Sequence, residues 1–238
     1  MARLCVCVNQ VGFVRNSNKR KDPDPVTAAI AAELAGIDGI VAHFKEDRSD
    51  LTDRDVSVLK QVVQSHLNLA IPMNDDMVKK AIKVLPDMVT VVASGYEHES
   101  EASLNVMENS EYLEDIVAAL RANNIVASIL IDPDIHQMRA VAKIGADYIQ
   151  INTSSLAHVE DLNAMTDSIE QIRSVAMAGN KLGLGISAGI GINHQTIRDL
   201  IDIPFIEEYN IGRSIFSRAL LVGLDRGISY FRKIISPA

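Results

Sequence analysis

Residues 32–44, AELAGIDGIVAHF, and residues 141–153, VAKIGADYIQINT, share one order: the end of a helix, a glycine, an acidic residue, then a short apolar strand. Gly36 and Gly145 stand where each helix must stop, because glycine takes the left-handed backbone that closes a helix at little steric cost. The same αβ turn used twice, about a hundred residues apart, points to a repeated β/α architecture.

The pattern continues on both sides. Upstream, Asp24-Pro25 supplies an N-cap and a first-turn proline for the helix that Gly36 ends. Downstream, Thr52 with Asp55 makes a capping box whose carboxylate is one methylene shorter than the usual Glu. The helix that follows buries Val56, Leu59 and Val63. Leu113, Ile116, Val117 and Leu120 form a like stripe, as do Leu162, Met165, Ile169, Ile172 and Ala176. A final helix is expected from Ser214 to about Ile235. Between the helices lie short apolar runs rich in Val and Ile: Leu4–Val8, Gly39–Phe44, Leu67–Met73, Met88–Ala93, Val126–Ile131, Tyr148–Asn152, Gly183–Ser187 and Ile206–Ile211. They read as strands buried on both faces, and eight of them alternating with helices predict a closed α/β (β/α)8 TIM barrel. The whole chain, 1–238, is expected to form this single domain with extra helices.

Composition agrees. Hydrophobic residues make up 47% of the chain, enough for a large core, while aromatics are 4% and Trp is absent, so aliphatic side chains must fill that core. The net charge of −8 repels nucleic acid and anionic membranes, so neither is expected as a partner. No signal peptide or membrane-spanning run is apparent, and the expected location is cytoplasmic. Cys5 and Cys7 lie on one strand and read as reduced, buried thiols. No metal-ligand spacing appears, and no metal or organic cofactor is expected. His66, His98, His136, His158 and His194 read as surface residues.

A barrel of this kind carries its chemistry at the C-terminal ends of its strands. That rule selects Asn9, His43, Lys45, Ala70, Ser94, Asp132, Gln150, Asn152 and Ser187, with the turns after strands seven and eight. Those turns read Ser187-Ala188-Gly189-Ile190-Gly191 and Asn210-Ile211-Gly212-Arg213-Ser214, the second opening the last helix. Backbone amides near Gly191 and Gly212, a helix N-terminus and Arg213 would together hold a phosphate. The plainer alternative is that the glycines only make tight turns. His43, in a charged cluster at a strand end, is the candidate general acid/base. Lys45 and Arg48 could meet an anion or simply form a solvated charge run. Residues 95–109 are polar and long for a βα loop, and are expected over the mouth as a lid or an extra short helix.

Three stretches carry a family resemblance: KDPDPVTAAIAAELAGIDGIVAHFKEDRSDLTDRDV (21–56), SAGIGI (187–192) and NIGRSIFSRALLVGL (210–224). They resemble pyridoxine 5′-phosphate synthase, and the likeness extends more weakly over almost the whole chain. The resemblance implies a β/α barrel with extra helices, assembled as a homo-oligomer, typically an octamer. It implies condensation of 1-deoxyxylulose 5-phosphate with 3-amino-2-oxopropyl phosphate, with loss of water and phosphate and without metal or cofactor. It casts Asn9 as a substrate ligand, His43 as general base, and Gly191 and Gly212 as phosphate-binding backbone. It also exposes departures. The family's Asp-His pair after Asn9 is replaced by Gln10-Val11-Gly12. Its acidic group in strand three stands as Ala70, that of strand six as Gln150, and its proton-donating His as Ile190. Its substrate-binding Arg stands as Lys45, a further His as Asp50, and the His after the strand-eight glycine as Arg213.

Losing one acid/base group typically costs about 10²–10⁴ in rate. The expectation is therefore a kept scaffold and anion site with altered or reduced condensation chemistry, in which Lys45, Gln150 and Asn152 bind or polarise the substrate. The alternatives are a non-catalytic metabolite-binding or regulatory paralogue, and a functional synthase in which Glu97 or His98 of the long loop takes over.

Overall fold

The computed structural model describes residues 2–17, 20–95, 101–157 and 161–236. Eight strands, β1 (Arg3–Cys7), β2 (Gly39–His43), β3 (His66–Pro72), β4 (Met88–Val92), β5 (Val126–Ile131), β6 (Tyr148–Asn152), β7 (Gly185–Gly189) and β8 (Ile206–Ile211), each pair in parallel with the next. β8 pairs back onto β1, with Cys5 opposite Asn210, and the barrel closes. Around it run α1 (Asn9–Ser17), α2 (Pro25–Leu34), α3 (Asp53–Val62), α4 (Asp75–Val84), α5 (Ser110–Ala122), α6 (Ile135–Lys143), α7 (Leu162–Lys181), α8 (Thr196–Leu200), α9 (Arg213–Val222) and α10 (Leu224–Ile235).

The echoed turn has a definite job. The Asp38 carboxylate accepts the Leu4 N–H at 2.8 Å, and that of Asp147 accepts the Ala127 N–H at 2.9 Å. Each acid thereby ties the start of one strand to the turn that begins its neighbour. A third copy follows α4, where Asp87 accepts the Leu67 N–H at 2.8 Å. The sequence hides this copy because Leu85, not glycine, takes the left-handed position, at φ 54°; Gly36 and Gly145 hold it at 88° and 75°. The caps read from sequence are present: Asp24 accepts the Val26 N–H, and Thr52 and Asp55 cap each other's backbone amides.

Four expectations need correction. The strands are not apolar on both faces. The outward residues, such as Leu67, Leu69, Ile129, Ile149 and Ile186, pack against the helices in the main core. The inward residues include buried Asn68, Thr90, Ser128, Gln150, Ser187 and Glu208, so much of the barrel lumen is polar. Second, the last helix is two helices, because Gly223 at φ 89° breaks the chain between α9 and α10. Third, β7 begins two residues later than expected; Gly183 lies in the turn at φ 81°, outside the strand. His66 is also no surface residue: it opens β3 half-buried, with Nε2 enclosed. His136 and His194 are exposed, while His98 and His158 lie outside the described residues.

Candidate active site

His43 is the last residue of β2 and lies half-buried at the C-terminal mouth. Asn9, at the start of α1, grips its backbone on both sides: Asn9 Oδ1 accepts the His43 N–H at 2.8 Å, and Asn9 Nδ2 donates to the His43 carbonyl at 2.8 Å. The same Nδ2 donates to Asp50 Oδ2 at 3.1 Å, and Lys45 Nζ meets that oxygen at 2.8 Å. Arg15 fixes the loop from below, pairing with Asp55 at 2.8 Å and donating to the Asp50 carbonyl at 3.1 Å. Burial would raise the Asp55 carboxyl, but hydrogen bonds from Arg15 and Thr52 outweigh it and hold the group below the usual carboxylate range. Asn9, Lys45 and Asp50 thus form one network around the His43 peptide.

Arg48 is engaged elsewhere. Its guanidinium lies 3.9 Å over the Phe44 ring and pairs with Asp53 at 2.9 Å, which holds the Asp53 carboxyl low. An anion would have to compete with that carboxylate.

The turns after β7 and β8 lie side by side. Gly189 is in register with Asn210, and Ser214 Oγ donates to the Ile192 carbonyl at 2.7 Å. Gly191 has φ 78°, and a Cβ there would sit 2.8 Å from Ser154 Cα. Gly212 is the N-cap of α9, where a Cβ would sit 2.7 Å from Gln10 Oε1 and 2.9 Å from Cys7 Cβ. No side chain caps α9, and Arg213 stands exposed at its first position. A helix N-terminus without a side-chain cap, beside glycine backbone, is the kind of geometry that can receive an oxyanion.

The other predicted residues divide by depth. Gln150 is mid-strand and buried in the lumen, its Oε1 accepting from Asn210 Nδ2 at 3.0 Å. Ser187 is likewise below the mouth, wholly buried, because of the β7 shift. Asn152 ends β6 at the mouth; its Nδ2 donates to Ser103 Oγ at 3.0 Å and Asp132 Oδ1 at 3.2 Å, and its Oδ1 accepts the Ser154 N–H. Ser103 was missed by the sequence reading, since it lies in the long loop rather than at a strand end.

Between these polar groups lies an apolar cluster of Ala70, Val92, Ala102 and Leu130, with Ile190 packed against it. Ala102 comes from the long loop, which is anchored where the Ala93 N–H donates to the Ala102 carbonyl and the Leu104 N–H to the Leu130 carbonyl. Residues 101–109 therefore cover part of the mouth; residues 96–100, with Glu97 and His98, lie outside the described residues. Ile190 holds φ 67°, a strained conformation for a β-branched residue. Among the described residues, no three His, Cys, Asp or Glu side chains are placed to hold a metal ion, and no helix is long and apolar enough to cross a membrane.

Known proteins bear on this geometry at two levels. The phosphoribosylanthranilate isomerase of Thermotoga maritima superposes with a TM-score of 0.64 over the full length of both chains at 12% identity, which shows a shared fold alone. The pyridoxine 5′-phosphate synthase of Geotalea uraniireducens is 43% identical over 229 residues, 96% of each chain. That of Pelobacter propionicus is 40% identical over 239 residues, the whole of both. The family model described as "Pyridoxal phosphate biosynthesis protein PdxJ" matches residues 4–237. With nearly its full length in register with that family and its synthases, this chain belongs to the PdxJ family.

Proposed function

We propose that the chain is a condensing enzyme of the pyridoxine 5′-phosphate synthase type, acting on phosphorylated small molecules with its proton-transfer chemistry altered at the mouth. The observation that carries this is the pairing, on one barrel face, of a backbone-pinned His43 with the adjoining Gly191 and Gly212 turns at the uncapped N-terminus of α9. The cradle and Arg213 take the phosphate. His43 moves the proton, and Lys45 and Asn152 orient the carbonyl from either side. Gln150 acts from below through Asn210. The reading needs no metal or organic cofactor.

Purified protein is incubated with 1-deoxyxylulose 5-phosphate and 3-amino-2-oxopropyl phosphate while phosphate release is followed, and the gene is tested in a vitamin B6 auxotroph. Turnover that His43→Ala abolishes supports the reading. No release and no rescue overturns it.

The apolar cluster around Ala70 and Ile190 favours a second reading, a metabolite-binding paralogue without turnover. It predicts phosphate-ester binding by calorimetry, lost in Arg213→Ala, with no product formed. Under either reading the chain is proposed to assemble as a homo-oligomer, an octamer by family resemblance. Leu220 and Leu221, each 86% exposed on α9, offer an apolar contact surface.

A further inference from the structure

Six residues of β5, VASILI, alternate between two environments. Ala127, Ile129 and Ile131 face the helices in the main core, so Ser128 and Leu130 face inward. The next residue on that inward face is Asp132, at the mouth just above Leu130 of the apolar cluster. Inward positions at the other strand ends carry Asn9, Lys45, Pro72, Ser94, Asn152, Gly191 and Gly212. Among the described residues, Asp132 is therefore the one carboxylate that the strand ends bring to the inward face of the mouth. Asp50, in the loop after β2, already serves Lys45 and Asn9.

Asp132 is also oriented. Its Oδ1 accepts the Ser103 hydroxyl at 2.8 Å and Asn152 Nδ2 at 3.2 Å. Asn152 Nδ2 donates to Ser103 Oγ as well, at 3.0 Å, closing a three-residue ring of hydrogen bonds. Asn152 lies beside the phosphate cradle: it is in register with Gly189, and Ser154, whose N–H it accepts, backs Gly191. The second carboxylate oxygen, Oδ2, is accounted for by none of these bonds. A carboxylate held by one oxygen and presenting the other is the arrangement a general base needs.

We propose that Asp132 is a second proton-transfer group of this site, standing across the mouth from His43, with Ser103 and Asn152 as its positioning residues. The assignment rests on the condensing-enzyme reading above. In that reaction Oδ2 takes a proton from the ligand carbon next to a carbonyl. The C–H electron pair forms the enol double bond, and the carbonyl pair moves to its oxygen. The oxygen pair then re-forms the carbonyl, and the enolate double-bond pair shifts to make a double bond to the adjacent carbon. The hydroxyl on that carbon takes the proton from the carboxyl and leaves as water with the C–O pair, returning Asp132 to its carboxylate. No oxidant, reductant or metal enters the balance.

The test compares the full chain with Asp132→Asn, Ser103→Ala and Ser103→Thr in two assays. One follows phosphate release from 1-deoxyxylulose 5-phosphate and 3-amino-2-oxopropyl phosphate. The other follows deuterium wash-in from D2O into dihydroxyacetone phosphate by NMR. The expected result is a fall in kcat of about 10²–10⁴ for Asp132→Asn with KM within about twofold. Ser103→Ala should lower kcat less, and Ser103→Thr, which keeps the hydroxyl, should restore it. Wild-type turnover with Asp132→Asn unchanged within about twofold overturns the role of Asp132 and leaves the condensing reading standing. If the wild type releases no phosphate, that reading falls, and wash-in then decides alone: wash-in that Asp132→Asn abolishes sustains the base, whereas none, or wash-in insensitive to the substitution, overturns it. Asp132 is exposed, so the Asn variant is expected to fold.

Discussion

Asn9 clasps the peptide of His43, accepting its N–H and donating to its carbonyl, each at 2.8 Å, across 34 residues of sequence. The clasp bridges the ends of β1 and β2 where no ladder hydrogen bond continues, so the imidazole backbone is fixed by a side chain. Family resemblance casts Asn9 as a ligand group, yet both of its polar atoms already serve the protein. A positioning role for the His43 backbone follows from the geometry itself.

Asn9→Ala removes both bonds and leaves part-buried backbone groups short of a partner, at a cost of about 1–3 kcal/mol. The expected outcome is a lower denaturation midpoint together with a loss of turnover that exceeds the loss of phosphate binding. Asn9→Asp should be worse than Ala in the clasp, because a second carboxylate would face Asp50, which already accepts from Asn9 Nδ2. Equal activity in all three proteins would show that His43 needs no such anchor.

The proposed phosphate cradle makes a different demand. Alanine at 212 would press its methyl group toward Gln10 Oε1 and Cys7 Cβ, at 2.7 and 2.9 Å, and shift the start of α9. Binding of inorganic phosphate or a phosphate ester, read by calorimetry, is expected to weaken about tenfold, or about 1.4 kcal/mol. The fold should survive, since the strain falls on a turn. Undiminished binding in Gly212→Ala would place the anion elsewhere.

These sites were unevenly legible. The strands and caps could be read because each is a local signal: an apolar run, an Asp before a Pro, a Thr three residues before an Asp. The polar lumen was also written in the sequence, as single polar residues at alternate positions in LNLAIP, MVTVV, VASILI and YIQIN. Alternation of period two places Asn68, Thr90, Ser128 and Gln150 on the face opposite the helices. The apolar residues outnumber the polar ones in each run, so its overall character masks the alternation. The link from Ser103 to Asp132 spans 29 residues and three segments of chain, and no local pattern announces it. The break at Gly223 was hidden because helical periodicity resumes at once in α10.

Leu85 offers a test of the repeated αβ turn. Its left-handed backbone costs about 1–2 kcal/mol in a residue with a Cβ, and its side chain is 50% exposed, so little burial offsets that cost. Glycine, as at positions 36 and 145, would relieve the strain while losing roughly 0.5–1 kcal/mol to its greater unfolded freedom. Leu85→Gly is therefore expected to stabilise the chain by about 0.5–1 kcal/mol, seen as a raised denaturant midpoint with unchanged slope. A fall in the midpoint would show that the leucine packs more than its exposure suggests.

His66 ties stability to pH. It opens β3 at the N-terminal end of the barrel, where burial pushes its pKa below the usual imidazole value. Glu208 and Asp87 oppose that shift, and Arg3 and Lys60 reinforce it. The folded chain thus binds fewer protons than the unfolded chain in mildly acidic solution, and stability rises with pH there. This contribution is complete above about pH 6.5 and is lost as pH falls through the lower native value, at no more than about 1.4 kcal/mol per pH unit. Denaturation midpoints measured from pH 7.5 to 5 should fall for the wild type and fall less steeply for His66→Gln, which stays neutral throughout. Parallel curves would mean that the imidazole is as easily charged in the folded chain as in water, and that the carboxylate of Glu208 outweighs burial.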